Sequence, residues 1–414
     1  FHNVRTHRPL SVAAVREQEP ALLAEGLRGG ALYYDCWTDD ARLTIETALA
    51  ARRGGAATLN HVEVVALEKD SGGRLAAARV RDRFTGESQR VRARCFVNVA
   101  GPWLDRVRRL DDAGAPPRLR ATKGVHAVFD RRRIGNRDAI VIRGVGDSRV
   151  MFAIPWQEQT LIGTTDTYFD GDPADVAADA DDIDYILAST NRAFPNANVT
   201  ARDVIATYAG LRPLVAPEDE MDESEVSRED EIFESPSGLI SLGGGKLTTH
   251  RHVAERIVDQ VARRVGRRVG PCRTMKVPLP GAAGMVAGSV MDGPPATGEE
   301  HVRARYGAAA AEVAATINGG PGGRIVGDLP DLMVEVVYAV EHEMAMTLDD
   351  VLVRRVSVHL RSRERGERVA RAVAAVMAEH LGWDNDRIEA EVVSYLASLV
   401  RSGGDPGGPR SPRL

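Results

Sequence analysis

Residues 239–265, LISLGGGKLTTHRHVAERIVDQVARRV, constrain the fold more than any other stretch of the chain. An apolar run breaks into three glycines and a lysine, after which apolar residues return at Val253, Ile257, Val261 and Val265, the spacing of one helix face. The pattern predicts a strand, a tight turn and a helix. Glycine lets a ligand approach the backbone closely, and the unpaired N–H groups at a helix start favour an anion. A phosphate loop of the form G-x-x-x-x-G-K-[ST] is excluded, because Ile240 and Leu247 stand where the first glycine and the hydroxyl belong. The alternative is a glycine-rich connection that serves only close packing of strand on helix.

Other segments have to decide between these. With 414 residues the chain is long enough for two or three domains, and 43% hydrophobic with 27% charged residues is ordinary for a globular protein. A formal net charge of -5, with arginines dispersed among acids, disfavours nucleic acid as a partner. Cys36, Cys95 and Cys272 are odd in number and far apart, which suits a reducing, cytoplasmic setting and offers no C-x-x-C metal site. His342-Glu343 fails as H-E-x-x-H because Met346 stands at the second histidine, and the acidic run Asp179 to Asp184 reads as a helix cap facing water. No metal is expected. No apolar run reaches the length that spans a bilayer, which leaves peripheral attachment open.

The chain opens at Phe1 with no initiating methionine and reads as though it begins inside a domain. Asp39 is placed to cap a helix running to Arg53; His61–Lys69 and Arg74–Arg83 form a hairpin, and the alternation from Val91 to Val99 predicts one strand ending at Ala100-Gly101-Pro102-Trp103. From Thr122 to Pro213 strands dominate, at 124–129, 139–143, 149–154, 160–165 and 204–213, with a hairpin tip at Gly144–Asp147 and one helix at 181–194. Residues 281–298 are rich in Gly, Ala and Pro and read as a linker. Helical patterns follow at 299–317, 331–344, 347–360, 363–380 and 384–401, then a tail at 403–414 that reads as disordered.

Several of these segments, in this order, carry a resemblance: Cys95-Phe-Val-Asn-Val-Ala-Gly-Pro-Trp103, Thr122-Lys-Gly-Val-His126, Ile154-Pro-Trp156, Ile162-Gly-Thr-Thr-Asp166, Tyr208-Ala-Gly-Leu-Arg-Pro213 and Gly243-Gly-Gly-Lys-Leu-Thr-Thr249. The set resembles FAD-dependent glycerol-3-phosphate dehydrogenase, a family of the D-amino-acid-oxidase-like flavoproteins. The resemblance implies an α/β plus α architecture. Residues 1–110 and 237–280 would form a partial, Rossmann-like FAD-binding domain, 111–236 an antiparallel substrate domain, and 299–402 a C-terminal helical domain. The family's strand, G-x-G-x-x-G turn and helix for the FAD pyrophosphate find no match in residues 1–100. The expectation is therefore that this polypeptide alone holds FAD weakly, whereas a longer parent binds it.

Oxidising a secondary alcohol against a flavin requires a base for the hydroxyl proton and stabilisation of negative charge on the reduced ring. His126 is the candidate base: in the alternation Val125, Ala127, Phe129 against His126, Val128 it lies off the more apolar row. A dianionic headgroup calls for arginine, whose planar fork pairs with phosphate oxygens. The resemblance assigns that work to Arg212 and Arg228. Arg212, among apolar residues, needs a partner charge, and Arg228, in an acidic stretch, could instead be a solvated ion pair. Lys246 would neutralise substrate or reduced flavin, making His126, Arg212 and Lys246 the catalytic set. The cofactor contacts implied are Ala100, Gly101, Trp103, Gly244, Gly245, Lys246, Leu247 and Thr248. Thr248 and Thr249 would either add hydroxyl donors or cap the helix, His250 is assigned no role, and Asp166 would orient the site or tie down a loop.

The resemblance implies FAD as cofactor, sn-glycerol 3-phosphate as substrate, dihydroxyacetone phosphate as product and a quinone as electron acceptor. It also leaves room for a homodimer and for peripheral contact with the inner face of the cell membrane. The alternatives are a related oxidase acting on an amine or hydroxy acid, and a non-catalytic fragment without its nucleotide clamp.

Overall fold

The computed structural model describes residues 6–147, 149–216, 229–285, 297–315 and 323–401. Near the start, strand Arg8–Leu10 pairs antiparallel with Gly30–Leu32. Helix Asp40–Arg53 begins where the sequence places it, with the Asp39 carboxylate accepting the Arg42 N–H at 3.0 Å. Val62–Lys69, Leu75–Asp82 and Ser88–Arg92 then form an antiparallel meander.

The single strand expected from Val91 to Val99 is two. Ser88–Arg92 is the edge of the meander, whereas Phe96–Asn98 belongs to another sheet, parallel to Leu239–Gly243, which also pairs antiparallel with Glu231–Glu234. Alternation runs through both pieces because period two reports the pleat and not the partner strand.

The largest sheet is antiparallel throughout. Val204–Val215 pairs with Leu119–Asp130, which pairs on its other edge with Gln159–Gly163 and Thr167–Tyr168, and Val150–Trp156 and Ile140–Arg143 follow outward. One face buries Val125, Ala127, Phe129, Met151 and Ile162 against Ile186 and Phe194, from helix Ala180–Ala193 and its C-cap. That helix starts in a capping box between Asp179 and Asp182. The acidic run thus caps the helix, and two of its carboxylates also hold Lys123, at 2.7 Å (Asp179) and 2.6 Å (Asp182).

The C-terminal region is helical, but three of the expected helices are interrupted or shortened. Gly298–Tyr306 and Ala310–Ala315 are separated at Gly307, whose φ is 53°. Leu348–Leu352 and Val358–Arg361 are separated before Ser357, which is left-handed at φ 54°. The helix expected from 363 starts at Ala370, after a short 3-10 turn. Apolar periodicity persists across each break because the turns bury side chains into the same core, which includes Val336, Leu348, Leu352, Val373, Met377 and Tyr395. The expected tail and residues 286–296 of the expected linker lie outside the described residues.

Ionic groups lock this region onto the rest. Glu343, fully buried, pairs with Arg42 at 2.6 Å, and His61 pairs with Asp350 at 2.7 Å. A second buried cluster gathers His301, Asp331, Glu335, Arg305 and Arg361. Arg305 donates to Asp331 at 2.7 Å and Glu335 at 2.9 Å, Arg361 also pairs with Asp331, and Arg361 reaches Gln157, in a turn of the large sheet, at 2.5 Å. Two guanidinium groups thus already supply the positive charge these carboxylates require. Among the described residues no helix is long and apolar enough to cross a membrane.

Candidate active site

Register places the site. Tyr208 lies opposite His126, Gly210 opposite Gly124, and Arg212 opposite Thr122. Residues two apart share a strand face, so His126, Tyr208, Gly124, Gly210 and Arg212 all lie on the face away from Val125, Ala127 and Phe129. That is where the sequence reading put His126. The two glycines differ in what covers them. A Cβ at Gly210 would meet nothing within 4 Å, and one at Gly124 would lie 2.7 and 2.9 Å from the Arg212 guanidinium nitrogens. The guanidinium therefore folds back across Gly124 toward His126.

The imidazole is seated on both sides. It stacks on Tyr208 with ring centroids 4.9 Å apart and planes 8° from parallel. On the other edge it covers Gly163, where a Cβ would sit 2.3 Å from its Cδ2. Burial, and then the positive charge of Arg212, push the His126 pKa down to about 4, so the ring is neutral at pH 7. Its Nδ1 is buried without a hydrogen-bond partner among the described residues. An unmet buried polar atom of this kind calls for an explanation, a ligand or water among them.

The partner charge expected for Arg212 is Asp166. Arg212 Nη1 donates to the Asp166 carboxylate at 3.0 Å, and Nη2 donates to the Thr164 hydroxyl and the Thr165 carbonyl, each at 3.2 Å. Arg149 donates in turn to the Asp166 carbonyl at 2.8 Å. Asp166 is thus bonded through its carboxylate to Arg212 and through its carbonyl to Arg149.

The two glycine-bearing turns also converge. Because Phe96–Asn98 and Leu239–Gly243 are parallel neighbours, Ala100–Trp103 and Gly244–Thr248 both leave from carboxyl ends of strands at one edge of the sheet, the usual position of a ligand crevice in such a sheet. Asn98 pins the first turn, accepting the Ala100 N–H at 3.2 Å and donating to the Leu104 carbonyl at 3.0 Å. The Gly244 N–H donates to the Pro213 carbonyl at 3.0 Å, which sets the second turn beside the Arg212 strand.

The glycines of that turn answer first to the protein. A Cβ at Gly243 would lie 2.8 Å from Val215, and one at Gly244 would lie 2.3 Å from the Glu229 carbonyl oxygen. Gly244 and Gly245 are left-handed, at φ 70° and 94°. Packing thus explains the first two, and the open side belongs to Gly245, Lys246, Leu247 and Thr248, all exposed. Lys246 has no hydrogen-bond or ionic partner among the described residues. A 3-10 turn at Leu247–Thr249 precedes helix His250–Arg264, so the helix starts later than Leu247. The Thr249 hydroxyl donates to the Lys246 carbonyl at 3.0 Å, closing the turn locally. Arg228 lies outside the described residues.

Sequence reasoning gave no role to Tyr208, Gly163, Thr164, Gly124 or Arg149. The spacing Tyr208, Gly210, Arg212 was a usable signal, since alternate strand residues share a face; the opposing glycines could not be recognised without the register.

Comparison with known proteins gives the family. Residues 2–260 match the family described as FAD dependent oxidoreductase, and residues 272–388 match the C-terminal domain of alpha-glycerophosphate oxidase. The chain is 35% identical to a glycerol-3-phosphate dehydrogenase of Synechocystis over 94% of its own length and 74% of the relative's. It is 37% identical to an aerobic glycerol-3-phosphate dehydrogenase of Staphylococcus haemolyticus, over 84% of this chain and 65% of that one. The crystal structure of the Bacillus halodurans glycerol-3-phosphate dehydrogenase complexed with FAD superposes with a TM-score of 0.81 at 31% identity, covering 98% of this chain and 84% of that one. On these matches, which extend over both the oxidoreductase and the helical C-terminal parts, the chain belongs to the FAD-dependent glycerol-3-phosphate dehydrogenases.

Proposed function

We propose that this chain oxidises sn-glycerol 3-phosphate to dihydroxyacetone phosphate with FAD as hydride acceptor. The observation that carries the reading is the placement of a neutral imidazole and a fixed guanidinium on one sheet face, the guanidinium lying over Gly124 with open space above Gly210. The residues present fit the flavin's ring end: two turns leave the same end of neighbouring parallel strands, one of them carrying Lys246, and among the described residues neither Lys246 nor the buried Nδ1 of His126 has a partner. When bound, FAD supplies the acceptor for the hydride leaving the substrate carbon.

The chain's own residues do the rest. Arg212 presents its fork to the phosphate, and His126 takes the hydroxyl proton at Nε2. An arriving dianion offsets the charge of Arg212, one of the two causes that hold the His126 pKa down, so the base strengthens as substrate binds. Lys246 adds positive charge at the turn, and Arg228 is proposed as a second phosphate contact. Family membership supports a quinone as the final electron acceptor, a cytoplasmic location with peripheral contact at the inner membrane face, and a homodimer.

The test is anaerobic reduction of the flavin in the purified, FAD-loaded protein. Glycerol 3-phosphate should bleach the oxidised flavin in a single turnover and leave dihydroxyacetone phosphate. Faster bleaching by an amino acid or a hydroxy acid would instead favour a related oxidase.

A further inference from the structure

Four consecutive residues seat both halves of the site. Gly163 lies under the His126 ring, and Thr164, Thr165 and Asp166 each accept a hydrogen bond from Arg212. The segment is itself fastened to the strand that carries the base: the Val125 N–H donates to the Thr165 hydroxyl at 3.0 Å, and the Thr165 N–H to the Val125 carbonyl at 3.3 Å. Behind it, Arg149 holds the Asp166 carbonyl at 2.8 Å and lies 3.5 Å from its carboxylate. Arg149 is braced by Asp147, also at 3.5 Å, and Asp147 accepts the Tyr185 hydroxyl at 2.9 Å.

We propose that Asp166 is a positioning residue that fixes the Arg212 fork beside His126 and thereby sets the preference for phosphorylated over unphosphorylated polyols. The proposal rests on the substrate reading given above. A carboxylate beside a phosphate-binding arginine weakens its field at the phosphate, so electrostatics alone would disfavour it. The Arg212 and Asp166 side chains are 31% and 19% exposed, a setting in which an ion pair adds little stability. Orientation is what the contact supplies. Arginine has a long, flexible stem, and ordering it before the substrate arrives removes a cost that binding would otherwise bear. Gly124 serves the same end from beneath, since any side chain there would push the guanidinium away.

Two substitutions test this from opposite sides: Asp166→Asn removes the charge that aims the fork, and Gly124→Ala displaces the fork while leaving every charge in place. Each should cut kcat/KM for glycerol 3-phosphate by about 10²-fold, the scale of a misplaced binding group, and by at least about tenfold more than it cuts kcat/KM for glycerol. Inorganic phosphate, used as a competitive inhibitor, should lose about tenfold in affinity in both variants. Should Asp166→Asn not fold, Gly124→Ala with Arg149→Gln carries the same comparison. Equal losses on glycerol 3-phosphate and glycerol, or unchanged phosphate inhibition, would overturn the positioning role alone. A wild-type flavin that glycerol 3-phosphate does not reduce would overturn the substrate reading and this proposal with it.

Discussion

The imidazole of His126 and the phenol ring of Tyr208 stack across two antiparallel strands, 4.9 Å between centroids and 8° from parallel. Such a pair is worth about 0.5–1.5 kcal/mol beyond its buried area. With Gly163 on the other side, it leaves the base one orientation. Tyr208→Phe keeps the stack and should retain activity within about threefold, whereas Tyr208→Leu frees the ring and should slow single-turnover flavin reduction by about tenfold, following the stacking energy. Identical rates for the two variants would show that stacking does not orient His126.

His126→Gln preserves size and polarity but cannot take a proton at neutral pH. The loss expected is about 10²–10⁴-fold in kcat, with KM for glycerol 3-phosphate little changed. Stopped-flow reduction of the bound flavin reads it directly. A large rise in KM with kcat preserved would assign His126 to binding instead.

The pH dependence follows from the same residue. In the free enzyme His126 titrates at about 4, so the acid limb of kcat/KM lies near that value. Arg212→Gln removes the second cause and leaves burial, so the limb should move upward yet stay below 6.5. For stability the sign is set by the depressed value. The folded state binds fewer protons than the unfolded one between pH 4 and 6.5, for His126 and equally for His359, which is also pushed down to about 4 by burial and Arg365. Their contribution is complete above 6.5 and falls as the pH drops toward 4. His301 runs the other way. Asp331 and Glu335 outweigh its burial and raise its pKa, so its contribution is complete below 6.5 and is lost as the pH climbs through the raised value. Urea midpoints taken across this range, with His359→Gln and His301→Gln as controls, separate the two.

Arg361 joins the buried carboxylate of Asp331 to Gln157, in the turn between strands Val150–Trp156 and Gln159–Gly163 of the large sheet. Arg361→Met leaves Arg305 to balance Asp331 and Glu335 and cuts the link between the helices and the sheet. Removing one partner from a buried ionic cluster costs about 3–5 kcal/mol, which chemical denaturation should register. A cost under about 1 kcal/mol would mean that the cavity relaxes or admits water.

Gly244 is left-handed at φ 70°, and a Cβ there would lie 2.3 Å from the Glu229 carbonyl oxygen. Gly244→Ala should therefore cost about 1–3 kcal/mol in strain and distort the turn carrying Lys246. The FAD-loaded variant should lose flavin at a lower temperature than wild type in a fluorescence-monitored melt. Unchanged flavin retention would separate this turn from the cofactor.

Local chemistry alone determined a large part of this protein. The strand, turn and helix of 239–265, the Asp39 cap, the hairpins and the side of the strand on which His126 stands all follow from propensity and periodicity, which act between near neighbours in sequence. The ordered motifs identified the family for the same reason, since each is a short contiguous run. Tertiary structure alone decided which strands meet. Nothing local indicates that Phe96–Asn98 leaves the alternation of its own segment to run parallel to Leu239–Gly243, or that Arg212 finds its counter-charge in Asp166, 46 residues earlier. The glycine turn shows the division most clearly. Its conformation is written in the sequence, but the reason for Gly243 and Gly244 lies in Val215 and Glu229, which reach them only once sheet order and register are set.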